Sequence, residues 1–491
     1  MYDPQDLITL IKSRTPIIIV ETTDEPRILD LIHYASDTLK LKLLKWSVIG
    51  GLMDITAQRE ADESTLEPAD MLKVIWNLKN PGIYVLIDFH PFLTDARNIR
   101  LMKEIALTAS KYRQTIILLS NKIDLPSELI VYTGKFELAL PDEKTIRSIV
   151  DNILRKRLPA GKNQFAAVSP ELEKLIVKNF IGLSIPEIER IAQRFINMPV
   201  ITREIIAEIA KSKYMILNKD SVLSFECETA HFTDIGGLKK LKQWLRKRRS
   251  VFLKEKKIPG SDVPKGILLL GVQGGGKSLA AKAVAGAWGI PLLRLDFGAL
   301  YDKYIGETER RTREAFKMSD RMAPCVLWMD EIEKGIATEN SDSGVSHRVL
   351  STLLTWMAER KSCVFLVATA NDIQSLPAEL MRKGRFDEIF FVDLPNSAVR
   401  KEILAIHLGK RGLNVKVFDL DKLANACEGF SGSEIEQAVV SGLYAMSSES
   451  GVLNDDILLQ EMKVTRPLSV VMAENVAALR EWAKDRTVSA N

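Results

Sequence analysis

Gly271-Val-Gln-Gly-Gly-Gly-Lys277-Ser278 follows the apolar run Gly266-Ile-Leu-Leu-Leu270, and it meets the pattern G-x-x-x-x-G-K-[ST] in full. The apolar run reads as a strand. The Ala-rich stretch from Leu279 to Trp288 reads as the helix that follows it. Glycines at such a turn let backbone N–H groups close around phosphate oxygens that side chains would obstruct. Lys277 would neutralise the β- and γ-phosphates, and Ser278 would offer a hydroxyl to Mg²⁺. The N-terminal dipole of the helix adds to the same anion site. Strand, loop and helix in this order predict nucleotide binding.

Working outward, Cys325-Val-Leu-Trp-Met-Asp330-Glu331 is a second apolar run that delivers two carboxylates at its C-terminal end. Nucleotide sites of open α/β sheets form at that end of their strands. A strand-end acidic pair alone is usually structural. Coupled to the loop, Asp330 reads as part of the Mg²⁺ shell and Glu331 as the group that polarises attacking water. A third run, Val364-Phe-Leu-Val-Ala-Thr-Ala-Asn371, ends on an asparagine that suits orienting the same water or closing a turn. Leu380-Met-Arg382-Lys-Gly-Arg385-Phe-Asp387 places two arginines around a glycine-containing turn. A solvated pair is the default for Arg-x-x-Arg, but this one also suits a protruding cationic finger aimed at a neighbour's phosphate.

This order of elements resembles the classical AAA clade of the AAA+ ATPases, from about residue 232 to about 446. The resemblance covers Phe232-Thr-Asp-Ile-Gly-Gly-Leu238, which looks like that family's lead-in to its first helix. It implies that the backbone of Asp234, Ile235 and Gly236 meets adenine, and that Gly271, Gly274, Gly275, Gly276, Lys277, Ser278 and Leu279 hold the phosphates of ATP. It implies Asn371 as the first sensor, Arg382 and Arg385 as arginine fingers acting in trans, and His407, in Arg400-Lys-Glu-Ile-Leu-Ala-Ile-His407, facing adenine. Gly432, in Gly429-Phe-Ser-Gly-Ser-Glu434-Ile435, falls in the second sensor region, and Tyr304 falls at the central-pore aromatic. The fold implied is an α/β P-loop AAA+ module, a parallel sheet with flanking helices and a helical lid. A homohexamer that uses ATP and Mg²⁺ to remodel or thread a protein client is implied with it. Two departures stand out. Val-Gln-Gly-Gly replaces the usual Pro-Pro-Gly-Thr of the loop, which makes it more flexible before ligand binds. Met381-Arg-Lys-Gly replaces Leu-Arg-Pro-Gly. The two-part layout of the whole chain is similar to an AAA-type family encoded in algal plastids and found in cyanobacteria.

The first two hundred residues alternate strand-like runs, Pro16–Val20, Ile83–Asp88 and Thr115–Asn121, with helical stretches such as Arg27–Thr38 and Asn98–Ala109. That alternation predicts an α/β domain. Four correspondences with the second half appear in the same order: Ile83–Phe89 with Val326–Glu331, Ser120-Asn121 with Ala370-Asn371, Leu140-Pro141 with Leu394-Pro395, and Gly182–Ile188 with Gly429–Ile435. Together they predict a degenerate, AAA-like copy. This copy has lost its chemistry. Glu21-Thr-Thr-Asp24 stands where the glycine loop should be, Phe89 where the catalytic carboxylate should be, and no arginine pair follows Leu129. Asn121-Lys-Ile-Asp124 spells the guanine motif N-K-x-D, but without a phosphate loop in its own domain it reads as accidental.

The expected domains are 1–200, the α/β copy; 201–225, a connector; 226–395, the ATPase core; 396–464, the lid; and 465–491, a tail with a helix over 469–485. A net charge of +4 over 491 residues carries no global attraction to nucleic acid. The basic stretch from Lys239 to Lys257 is a nucleic-acid candidate. Leu238, Leu241, Trp244 and Leu245 at helical spacing make an amphipathic first helix the preferred reading. Cys227, Cys325, Cys363 and Cys427 are widely spaced and read as reduced core thiols. No apolar run approaches the length of a membrane span, and a cytoplasmic or plastid-stromal location is expected. Against Mg²⁺-dependent ATP hydrolysis stand two alternatives: an ATP-gated scaffold with little turnover, and a nucleic-acid-dependent ATPase. Glu331, Asn371 and the two arginines argue against a scaffold, which needs none of them.

Overall fold

A computed structural model describes residues 4–57, 62–156, 169–196, 205–218, 222–253, 259–260, 262–300, 305–336, 343–382, 384–449 and 452–491. Tyr304, expected at the pore, lies outside the described residues, as do residues 337–342. The chain divides into two compact units. The first comprises Met1–Arg157 and Leu183–Ile196, and the second Leu158–Gly182 and Asn197–Asn491.

The second unit is built on β7 (Leu223–Glu226), β8 (Gly266–Gly271), β9 (Leu292–Leu295), β10 (Cys325–Met329), β11 (Val364–Ala370), β12 (Glu388–Val392) and β13 (Val488–Ser489). They lie in the order β13-β12-β8-β11-β10-β9-β7. All neighbours are parallel except β7, which runs antiparallel to β9. Every residue of β8, β10 and β11 is buried. A parallel sheet covered on both faces needs such uninterrupted apolar strands. Leu268, Leu270, Leu327 and Leu366 pack into the core on one face, and Ile267, Leu269, Val326 and Phe365 into the core on the other. Helices Ser397–Lys410, Leu420–Ala426, Gly432–Glu449 and Asp455–Val464 form the lid around Leu404, Leu408, Leu423, Phe430, Ile435 and Leu458.

Two stretches depart from expectation. The connector 201–225 supplies the helix Ile205–Leu217, which buries Ile205, Ile206, Ile209 and Ala210, and the edge strand β7. Lys213 is buried on that helix, and its ammonium donates to the carbonyls of Ile181 and Ala323. Burial pushes its pKa down to about 7. The tail carries two helices, Leu468–Val471 and Ala473–Ala483, before β13 adds to the sheet, with Ala490 N donating to Phe391 O at 2.9 Å. A two-residue edge strand carries no periodic signal, so the sequence did not reveal it.

The first unit contains β1 (Ile17–Glu21), β2 (Lys42–Ser47), β3 (Gly51–Asp54), β4 (Gly82–Ile87), β5 (Gln114–Ser120) and β6 (Thr133–Phe136), in the order β3-β2-β4-β5-β1-β6. Only β3 is antiparallel. With β3 of the first sheet and β7 and β13 of the second set aside, each sheet places its first parallel strand between its fourth and its fifth, followed on the fourth-strand side by the third and second. The first unit is therefore a second copy of the same fold. Local details repeat as well. Asp142 accepts from Thr145 N at 2.9 Å, as Asn396 accepts from Val399 N at 3.0 Å. Ser184 N donates to Glu187 at 2.8 Å, as Ser431 N donates to Glu434 at 2.7 Å.

Among the cysteines, Cys325 and Cys427 are buried, and burial raises their pKa to about 12 and about 11. Cys227 is exposed, so it is not the core thiol expected. The helix Lys239–Phe252 buries Leu241, Leu245 and Phe252, and Arg248 lies over the Trp244 ring at 3.6 Å. Among the described residues no helix is long and apolar enough to cross a membrane.

Candidate functional site

Strand β8 ends at Gly271, where a Cβ would fall 2.0 Å from the Val392 carbonyl of β12. Only glycine permits that approach. The chain then turns through residues 272–276 into the helix Lys277–Trp288. Lys277 folds back, and its buried ammonium donates to the carbonyls of Gly271 and Val272, both at 2.8 Å. Burial lowers its pKa to about 8, against the opposing pull of Glu333, Asp330 and Glu331.

Strands β10 and β11 deliver the acids. Met329 pairs with Ala368 in the sheet, so Asp330 arrives beside Thr369. The Thr369 hydroxyl donates to Asp330 Oδ1 at 2.5 Å and accepts from Glu331 N at 3.0 Å. Ser278 donates to the same Asp330 oxygen at 3.2 Å. Glu331 has φ +47°, a left-handed turn that points the chain away from the strand. Asn371 Nδ2 donates to Glu331 Oε1 at 2.9 Å, and the Lys334 ammonium lies 2.5 Å from Glu331 Oε2. Glu333 accepts from Asn371 N at 2.9 Å, and burial raises its pKa.

Lys277, Ser278, Asp330, Glu331 and Asn371 face one cavity of about 400 Å³, lined also by Gln273, Thr369, Ile403, Ile406, Ser433 and Glu436. It brings together Asp234, Ile235, Gly236, Gly274, Gly275, Gly276, Lys277, Ser278, Leu279, Asp330, Glu331, Asn371, His407 and Gly432. Gly271 lies behind it. His407 is largely buried, with Nδ1 3.3 Å from Glu436. Burial lowers its pKa, opposed by Glu436. The lid reaches the loop directly, since Ser433 N donates to Gly274 O at 3.2 Å. Arg382 and Arg385 stand apart from the cavity. Arg382 is exposed, and Arg385 donates to the Leu354 carbonyl. Sequence reasoning missed Thr369, Glu333, Lys334 and Glu436. Thr369 and Glu333 lie within two residues of groups it singled out, which was the available signal.

Residues 267–394 match the family model of the ATPase family associated with various cellular activities (AAA), and residues 4–134 match that of the SpoVK-like AAA ATPase, N-terminal domain. The AAA domain-containing protein ycf46 of Pyropia yezoensis is 38% identical, over 98% of this chain and 97% of that one. The chain is an AAA ATPase. The AAA domain-containing protein ycf46 of Guillardia theta is 34% identical over 98% of this ATPase and 94% of its own length. The proteasome-activating nucleotidase of Aeropyrum pernix is 35% identical over 47% of this ATPase and 59% of its own length. As an AAA ATPase the chain binds and hydrolyses ATP with Mg²⁺ and couples hydrolysis to conformational work. Its first unit is an AAA-like copy, as four short correspondences in its sequence had suggested.

Proposed function

We propose that the ATPase works as a homohexamer that pulls or remodels a protein client, in a cytoplasmic or stromal compartment. The observation that carries the reading is the convergence of loop, acids and Asn371 on one cavity while Arg382 stays outside it, exposed. The cavity suits ATP and Mg²⁺. Beyond its own chain neighbours, Gly276 has no atom within 4 Å of where a Cβ would lie, which leaves room for phosphate oxygens. Lys277, with its ammonium already curled into the loop, would meet the β- and γ-phosphates. Ser278 and Asp330, 3.2 Å apart, would share the Mg²⁺ shell. The bound nucleotide supplies the phosphoanhydride to be cleaved. Glu331 would take the proton of the attacking water, with Asn371 fixing the carboxylate's orientation. Asp234, Ile235, Gly236, Ile403 and His407 would enclose adenine, and Gly432 would bring the lid against the loop.

Arg382 and Arg385 would complete a neighbour's site, because a cation outside its own cavity serves phosphate only across a subunit boundary. Subunits carrying Arg382→Ala, mixed with subunits carrying Lys277→Ala, should recover part of the lost turnover, since some interfaces then join an intact site to an intact finger. A strictly monomeric species in ATP, with turnover per chain independent of concentration, would overturn the ring. By resemblance Tyr304 would grip the client. Tyr304→Ala should keep basal turnover within about threefold while ending client processing. Intact processing by that variant would exclude threading.

A further inference from the structure

The segment ahead of the helix Lys239–Phe252 turns at Gly237-Leu238, and both residues have positive φ, +67° and +52°. A leucine held there costs about 1 kcal/mol or more and persists only where its surroundings fix it. Two side chains do so. Glu402, on a lid helix, accepts from Gly237 N at 2.7 Å. Asn491 Oδ1 accepts from Leu238 N. A Cβ on Gly237 would fall 2.6 Å from Asn491 Oδ1 and 2.8 Å from a Val399 methyl, so the turn is pressed between tail and lid. The tail is itself anchored. Ala490 N donates to Phe391 O at 2.9 Å, and Ala490 O accepts from Lys240 N and Leu241 N, both at 3.1 Å. Those are N–H groups that open the helix and have no partner within it.

The three residues just before this turn are Asp234, Ile235 and Gly236, which line the cavity beside Ile403 and His407. Gly236 is so close to the lid that a Cβ there would fall 2.7 Å from Ile403 Cγ1. With no slack between turn and wall, relaxation of Leu238 shifts the wall. We propose that Asn491 and Glu402 are positioning residues for the nucleotide base: they hold the strained turn that sets Asp234–Gly236, which makes the C-terminal strand part of the base-recognition apparatus. This rests on the reading that adenine lies against those three residues. The phosphate end, built from residues 272–278, depends on other contacts.

The test uses the full chain, calorimetric titration with ATP and with inorganic tripolyphosphate, and steady-state kinetics. Asn491→Ala should weaken ATP binding and raise KM by about tenfold, with tripolyphosphate affinity and kcat within about twofold. Asn491→Asp keeps an acceptor oxygen and should restore ATP affinity. Where Asn491→Ala melts below assay temperature, Glu402→Ala, at a partly exposed side chain, should show an ATP-only loss of about threefold. An unchanged ATP affinity, or equal weakening of ATP and tripolyphosphate, overturns the positioning role alone. A parental chain that binds tripolyphosphate as tightly as ATP overturns the placement of adenine and the inference with it. A parental chain that binds neither overturns the nucleotide reading itself.

Discussion

Strand β1 of the first unit runs through Thr22-Thr23-Asp24 into the helix Glu25–Leu39, whereas β8 of the second runs through residues 272–276 into the helix Lys277–Trp288. Both connections present a helix N-terminus, with its partial positive charge, at the same place in the same sheet order. The shorter one places a carboxylate, Asp24, at the N-cap, with no side-chain bond to the helix N–H groups. Asp24 is 3% exposed and lies 3.4 Å from Arg27. The longer one leaves a cavity. At the next strands the contrast repeats. Asp88 accepts from the Ser120 hydroxyl at 2.8 Å, much as Asp330 accepts from Thr369. The residue after Asp88 is Phe89, buried edge-to-face against Trp46 with ring centroids 5.5 Å apart, where the second unit has Glu331. The first copy kept its polar scaffold and filled its site with permanent side chains. Where the second unit presents a carboxylate to a cavity, the first packs an aromatic ring into its core.

The sharpest test of that contrast is at Glu331. Glu331→Gln should hold ATP but lower turnover by about a hundredfold or more, the usual cost of removing a base. Parental turnover in that variant would mean that the first unit, or another acid, does the chemistry. Next in size is Asp24. Asp24→Ala should destabilise the first unit by about 2 kcal/mol, read as a lowered melting transition, because it removes a charged partner from a buried pair. ATP turnover should stay within about twofold, since no nucleotide is expected there. A turnover loss as large as that of Glu331→Gln would make the first unit a participant.

A further test concerns where the second unit begins. Lys213 has a folded pKa of about 7, below that of the unfolded chain, so the unfolded chain holds the proton more tightly. Stability should therefore rise as pH goes from 7 toward 10, by at most about 1.4 kcal/mol per unit, and this contribution should be flat below 7. Lys213→Met should remove the slope in melts at pH 7 and pH 9. An unchanged slope would mean that the helix Ile205–Leu217 is not packed as a buried part of that unit.

Much of this contrast was legible in the residues. The loop Gly271–Ser278, the strand-end acids and the missing glycines after β1 are local patterns, and local patterns survive in a bare sequence. Asn371 was legible because it ends an apolar strand. Thr369 was not, because its role depends on the register of β10 against β11, which brings Asp330 beside it. The split near residue 182 was also hidden. The helices Pro170–Phe180 and Ile185–Ile196 are both amphipathic, yet the first belongs to the second unit and the second to the first. Amphipathicity shows that a face is buried and leaves open against what.

The bond from Leu238 to Asn491 spans 253 residues, and this sets an order of events on the ribosome. All six strands of the first sheet lie within residues 17–136, so that sheet can close early in synthesis. The second cannot be finished until residues 488–491 exist to pair with β12 and cap the helix at Lys240. At typical translation speeds the roughly 350 intervening residues take roughly 20 to 70 s. Only over roughly the last 100 of those residues, once β12 has been made, does the nascent chain carry one completed sheet and one with an open edge at β12. The turn at Gly237-Leu238, which leans on Asn491, is fixed only after residue 491 has been made.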